Sequence, residues 1–102
     1  MMGILEILGF GKKRKLMIES VLANGAVIVD VRTEGEFSLG HVEGSINVPL
    51  DQLRIKIDKL KRMNKVILLC CASGTRSASA TVILKNRGIE CYNAGSWLSL
   101  RK

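Results

Sequence analysis

Aromatic residues are nearly missing from this sequence, which has only Phe10, Phe37, Tyr92 and Trp97. With so few flat side chains for base stacking, and no helix-turn-helix, RNP or zinc-finger spacing, specific nucleic-acid recognition is not expected. Histidine occurs once, at His41, and no C-x-x-C pair accompanies it. A zinc site is therefore not expected, and no metal is assigned. The three cysteines are Cys70, Cys71 and Cys91. An odd count with two of them adjacent makes a poor disulfide framework and suits a reducing compartment. Long hydrophobic runs are lacking too. The opening MMGILEILGF is too short to span a bilayer, and its cations follow the apolar stretch instead of preceding it as in a signal peptide. Met2 in place of glycine excludes myristoylation. No transmembrane segment and a cytoplasmic location are expected.

What is present is a large aliphatic content. The 102 residues are 47% hydrophobic, enough for one compact domain with a core of Val, Ile, Leu and Ala. The 16 Lys and Arg outnumber the 9 Asp and Glu, for a net charge of +7. Ten of those cations fall in KKRK at 12–15 and RIKIDKLKRMNK at 54–65. Such a balance attracts small anions, acidic partners or, without selectivity, polyanions. Residues 1–15 stand apart in composition as an apolar and basic extension to a domain over 16–102. Ile4, Leu5, Ile7 and Leu8 are compatible with a short membrane-surface helix, but a terminal segment that frays or docks on its own domain is the simpler reading.

Periodicity predicts a helix over 16–24 ended by Gly25 and a buried strand in AVIVDV at 26–31. A helical turn is expected in EFSLG, and a short strand in SINVP closed by Pro49, the only proline. A helix from Leu50 carries Leu50, Leu53, Ile57 and Leu60 on one stripe with cations opposite. A second apolar strand follows in KVILLC at 65–70, then a helix in RSASATVILKNR stopped by Gly88, a strand in IECYN and a closing turn or helix. Strands alternating with helices predict an α/β domain, with a parallel sheet covered by helices on both faces.

The chemistry concentrates in VILLCCASGTRSASA at 66–80. An apolar strand ends at Cys71, a tight turn follows, and a helix begins near Arg76. Ligands of open parallel sheets bind beyond the carboxyl ends of the strands. A cysteine there meets unpaired amide N–H groups, the positive end of a helix dipole and the charge of Arg76, all of which favour thiolate. Gly74 lets the backbone curl through positive φ, and Ser73, Thr75 and Ser77 are small hydrogen-bonding residues. The alternative is an ordinary strand-to-helix turn in which the cysteine merely packs.

Three blocks resemble the rhodanese family: DVRTEGEFSLGHVEGSINVPL at 30–50, CASGTRS at 71–77 and GIECYNAGSW at 88–97. Their order and spacing match the family over residues 16–98. The resemblance implies a single rhodanese-like domain with a central parallel sheet of four to five strands. It also implies a sulfurtransferase cycle that needs no cofactor. Cys71 takes sulfur from thiosulfate or a persulfide donor, becomes a persulfide, and passes the sulfur to a thiol or protein cysteine. The loop Ala72, Ser73, Gly74, Thr75, Arg76 and Ser77 cradles the outer sulfur, with Arg76 helping to bind the anionic donor. Four residues separate Cys71 from Arg76. Phosphatase-like relatives have five, which favours sulfur over phosphate here.

By the same resemblance Asp30 and Arg32 brace the loop and pair with groups such as Glu36, His41 is structural, and Trp97 walls the pocket mouth. Cys70 points away from Cys71 by strand alternation and packs in the core, as does Cys91. Three departures stand out. Ser96 replaces the second glycine before Trp97, the strand that opens larger relatives is hard to find, and uncharged Ala72 stands where some thiosulfate-using relatives carry a cation. A non-enzymatic binding module with a basic docking face, or a partner-specific persulfide relay, are the rival readings. A monomer is expected.

Overall fold

The computed structural model describes residues 4–101, with side chains from residue 11 onward. Helix α1 runs from Ile4 to Ala23, without a break where the sequence suggested a boundary between 15 and 16. The side chains of Ile4, Leu5, Ile7 and Leu8, on which a membrane-surface face depends, lie outside the described ones. Among the described residues no helix is long and apolar enough to cross a membrane.

Strand β1 (Val27–Asp30) follows, then α2 (Glu34–Leu39), β2 (Ile46–Asn47), a 3-10 segment (Leu50–Lys56) and α3 (Ile57–Arg62). The chain continues through β3 (Ile67–Cys71), α4 (Thr75–Lys85), β4 (Cys91–Ser96) and a final 3-10 turn (Trp97–Ser99). The four strands form one sheet in the order β2-β1-β3-β4, and every pairing is parallel. All five residues of β3 are buried, because this central strand is covered on both faces.

Alternation along the strands sorts the core into two layers. One layer joins Val29, Ile67, Leu69 and Cys71 to Leu53, Ile57 and Leu60 below the sheet and to Ala80 and Leu84 of α4. The other joins Leu68, Cys70 and Ala94 to Ile18, Val21 and Leu22 of α1, with Trp97 and Leu100. Cys70 and Cys71 thus lie on opposite faces, as alternation required.

Two local differences from expectation have simple causes. The helix predicted from Leu50 opens as a 3-10 segment, because Leu50 and Leu53 are three residues apart and a 3-10 turn puts both on the core side. In β4, Leu69 pairs with Asn93 but Cys70 pairs with Gly95, so Ala94 is an extra residue. The bulge carries Gly95, at φ 84°, up against the loop that follows β3.

Candidate active site

The loop between β3 and α4 is built around one sulfur atom. Gly74 caps α4 with φ 98° and ψ −10°, and the helix has no side-chain oxygen as its cap. The Sγ of Cys71 takes that place. It accepts from the amide N–H of Gly74 at 3.0 Å and from that of Ser77, in the first turn of α4, at 3.4 Å. These are donors that a helix start leaves unpaired, and the helix dipole adds positive potential at the same point.

Burial pushes the Cys71 thiol up, but the Ser77 hydroxyl and the amides of Ser77, Gly74 and Ser73 outweigh it. Its pKa therefore falls below the usual value of 9.0. Cys70 goes the other way, to about 12, through burial and the nearby Asp30 carboxylate. Burial also raises Cys91, whose S–H donates to the Thr81 carbonyl at 3.5 Å. Of the three thiols, only that of Cys71 is shifted toward its anion.

Gly74 leaves little room for a side chain. A Cβ there would lie 3.3 Å from the Cα of Gly95, on top of the cost of its positive φ. Gly74→Ala is expected to cost roughly 1–3 kcal/mol in urea unfolding. It is also expected to move the Cys71 thiol back toward alkaline values, read from the pH dependence of its alkylation rate.

The two arginines of the site are held by carboxylates. Asp30, fully buried, accepts from the Arg32 backbone N–H at 3.0 Å, from Nε at 3.0 Å and from Nη2 at 2.7 Å. Arg32 also donates to the Gly40 carbonyl at 2.7 Å and lies over the Trp97 ring at 4.4 Å. Trp97 therefore supports Arg32, and it lines neither cavity beside the Cys71 loop. The expected partner of the Asp30–Arg32 pair, Glu36, offers it only a backbone carbonyl, at 3.4 Å. The Glu36 carboxylate instead grips Arg76 with two hydrogen bonds, of 2.6 and 2.9 Å. Arg76 braces the start of α4 against α2, and its charge is already matched.

Arg76, together with the Thr33 amide of the α2 capping box, holds the Glu36 carboxyl at about 2, against 4.5 ordinarily. Because the folded value is depressed, the pair's stabilisation is present above pH 4.5 and is lost as pH falls toward 2. A carboxyl resonance of Glu36 titrating near pH 2 is the expected result, and a midpoint above 4 would show that the pair does not persist in solution.

Two participants, Asn93 and Arg14, escaped the reading of the sequence as site residues, and a third, Glu36, was expected beside Asp30 and Arg32 instead of Arg76. Asn93 donates from Nδ2 to the Gly74 carbonyl at 3.2 Å, and its Oδ1 accepts from the Gly95 amide at 2.9 Å and lies 2.7 Å from the Ser77 Oγ, whose one proton it shares with the Cys71 Sγ at 3.3 Å. The polar residue two positions before a glycine in YNAG, unusual inside a strand, is the signal that marks it. Arg14, assigned to the basic extension, donates to the Asn93 carbonyl at 2.7 Å and covers Gly95. Glu36 stands at the last place of the T-x-x-E capping box TEGE, which explains its orientation. Of the other residues, Ala72 and Ser73 are exposed, and Ser73 and Thr75 share a hydroxyl contact of 3.3 Å. His41 is exposed, stacks on Phe37 and bonds its carbonyl through Nδ1, away from the sulfur. Ser96 has extended geometry at φ −72°, so no glycine is needed there.

The rhodanese-like domain model matches residues 15–99. The chain belongs to the rhodanese-like domain family. Its fold agrees with solved rhodanese-like structures. One, titled "rhodanese with anions from E. coli", is 29% identical at a TM-score of 0.67 and is covered over 89% of its length and 72% of this chain. A rhodanese-like domain protein from Staphylococcus aureus is 28% identical at a TM-score of 0.66, over 72% of each chain. Among curated relatives, the Bacillus subtilis protein YqhL is 38% identical over 69 residues, 67% of this chain and 54% of that protein. A tRNA sulfurtransferase of Thermoplasma acidophilum is 29% identical over 86% of this rhodanese-like chain but only 18% of its own. A tRNA uridine(34) hydroxylase of Buchnera aphidicola is 33% identical over 72% and 25%. This chain thus spans about half or less of the curated relatives it matches.

Proposed function

We propose that this rhodanese-like domain is a sulfurtransferase that carries sulfane sulfur as a persulfide on Cys71. The observation that carries the reading is the Cys71 Sγ seated where a helix cap belongs, with two backbone N–H groups aimed at it. As thiolate, Cys71 attacks the outer sulfur of a donor, thiosulfate or an organic persulfide. A new S–S bond forms and the donor's sulfite or thiolate leaves with the electron pair. An acceptor thiolate then attacks the outer sulfur, and Cys71 thiolate is the leaving group. No cofactor enters either step. Cys71 has no exposed surface, so the loop 72–74 must yield to admit the donor.

All three cysteines are free thiols, which supports a reducing, cytoplasmic setting. The relative named tRNA sulfurtransferase supports sulfur transfer as the reaction class. A purely binding role is disfavoured because a module without chemistry has no need to enclose one thiol and lower its pKa with aimed N–H groups. The test is intact mass after incubation with thiosulfate or a persulfide. A gain of ~32 Da that cyanide or a reductant removes is expected, and absence of any adduct from either donor would overturn the proposal.

A further inference from the structure

Both arginines of the site have their charge matched by a carboxylate, Arg32 by Asp30 and Arg76 by Glu36, and Ala72 is uncharged. Positive charge without a carboxylate partner lies elsewhere. Two open cavities flank the loop. One, of about 510 Å³, is lined by Arg76 and by Arg54 with Asp51, so its charges are balanced once Glu36 is counted against Arg76. The other, of about 530 Å³, lies between α1 and the β4 end of the sheet and touches the Cys71 loop at Ser73. Arg14, Lys15 and Arg101 line it against a single acid, Glu19. Among the described residues, no carboxylate forms a salt bridge with any of these three cations. Ile18, Leu22 and Leu100 supply aliphatic surface between them.

We infer that this groove holds the organic body of the sulfur donor or acceptor, an aliphatic thiol or persulfide with a carboxylate remote from its sulfur. This rests on the sulfurtransferase reading and names the substrate class for it. The geometry sets the division of labour. The reacting sulfur enters at Ser73, the carbon chain covers the apolar wall, and the carboxylate meets the cations, where Arg14 is already positioned by its bond to the Asn93 carbonyl. A groove of this volume far exceeds what an inorganic donor fills, and its apolar wall offers thiosulfate nothing. The same groove serves both half-reactions. In loading, Cys71 thiolate attacks the outer sulfur of R–S–SH and R–S⁻ departs. In unloading, R–S⁻ attacks the Cys71 persulfide, R–S–SH forms, and Cys71 leaves as thiolate.

The probes are ω-mercaptoalkanoic acids of increasing chain length and the mercapto-alcohols of equal length, as acceptors from persulfide-loaded protein. The expected result is an acid-to-alcohol ratio in kcat/KM of about fivefold or more for a six-carbon chain, from two exposed charge contacts. That ratio is expected to shrink for the two-carbon pair and to fall to one or below in Lys15→Glu/Arg101→Glu. No acid preference in the wild type, or one unchanged in the double variant, would overturn the inference. Binding is read separately with 6-(methylthio)hexanoate, which cannot react. Perturbed amide signals at Ile18, Leu22 and Ala94 support the groove even if Cys71 never loads, whereas loading without those perturbations leaves the sulfurtransferase standing and removes the groove.

Discussion

Cys71→Ser is expected to lower sulfur transfer from thiosulfate to cyanide by at least about 10³-fold, because it replaces a stabilised thiolate with a hydroxyl that does not ionise at neutral pH. The fold is expected to persist. A serine Oγ accepts the same amide N–H groups from Gly74 and Ser77, so α4 keeps its cap. Cys70→Ser and Cys91→Ser are expected to retain much of the activity. Both thiols are raised by burial and lie apart from the cradle, Cys70 on the opposite face of the sheet. Steady-state rates for the three variants, with circular dichroism to confirm folding, check this. Equal loss in all three would mean that activity follows general damage to the core.

The second large effect concerns stability. Asp30 is fully buried and Arg32 nearly so, and every polar contact of the Asp30 carboxylate goes to Arg32. Asp30→Ala strands a buried guanidinium and is expected to cost about 3–5 kcal/mol in urea unfolding at neutral pH. Replacing both partners, as in Asp30→Leu/Arg32→Met, is expected to recover part of that loss, since no unpaired charge remains. Recovery stays incomplete because Arg32 also ties down the Gly40 and Glu36 carbonyls and packs on Trp97. A loss under about 1 kcal/mol for Asp30→Ala would show that water reaches the pair and that the site is less tightly built than its geometry implies.

The boundary of legibility follows sequence separation. The cradle was readable because all its parts lie within residues 71–77: Cys71 ends a strand, Gly74 must take positive φ, and Ser77 lies in the first turn of a helix. The opposite faces of Cys70 and Cys71 followed from strand alternation alone. The brace on Arg76 was not readable, since Glu36 lies 40 residues away and its carboxylate faced two candidate arginines. Nor was the Arg14–Asn93 contact, across 79 residues, which ties a segment set aside as an extension to the strand beside the Cys71 loop.

From its residues alone, then, this chain specifies alternating apolar strands and amphipathic helices, and a cysteine at a strand end whose neighbours favour its anion. These are properties of backbone geometry and side-chain type over a few positions, and they need no knowledge of what lies across the sheet. The parallel order β2-β1-β3-β4 and the extra residue at Ala94 settle the rest. They bring α1, α2 and β4 against one loop, and so commit both arginines of the site to carboxylates and leave three other cations around a groove. Which charges are matched, and which have no carboxylate partner among the described residues, depends on long-range packing.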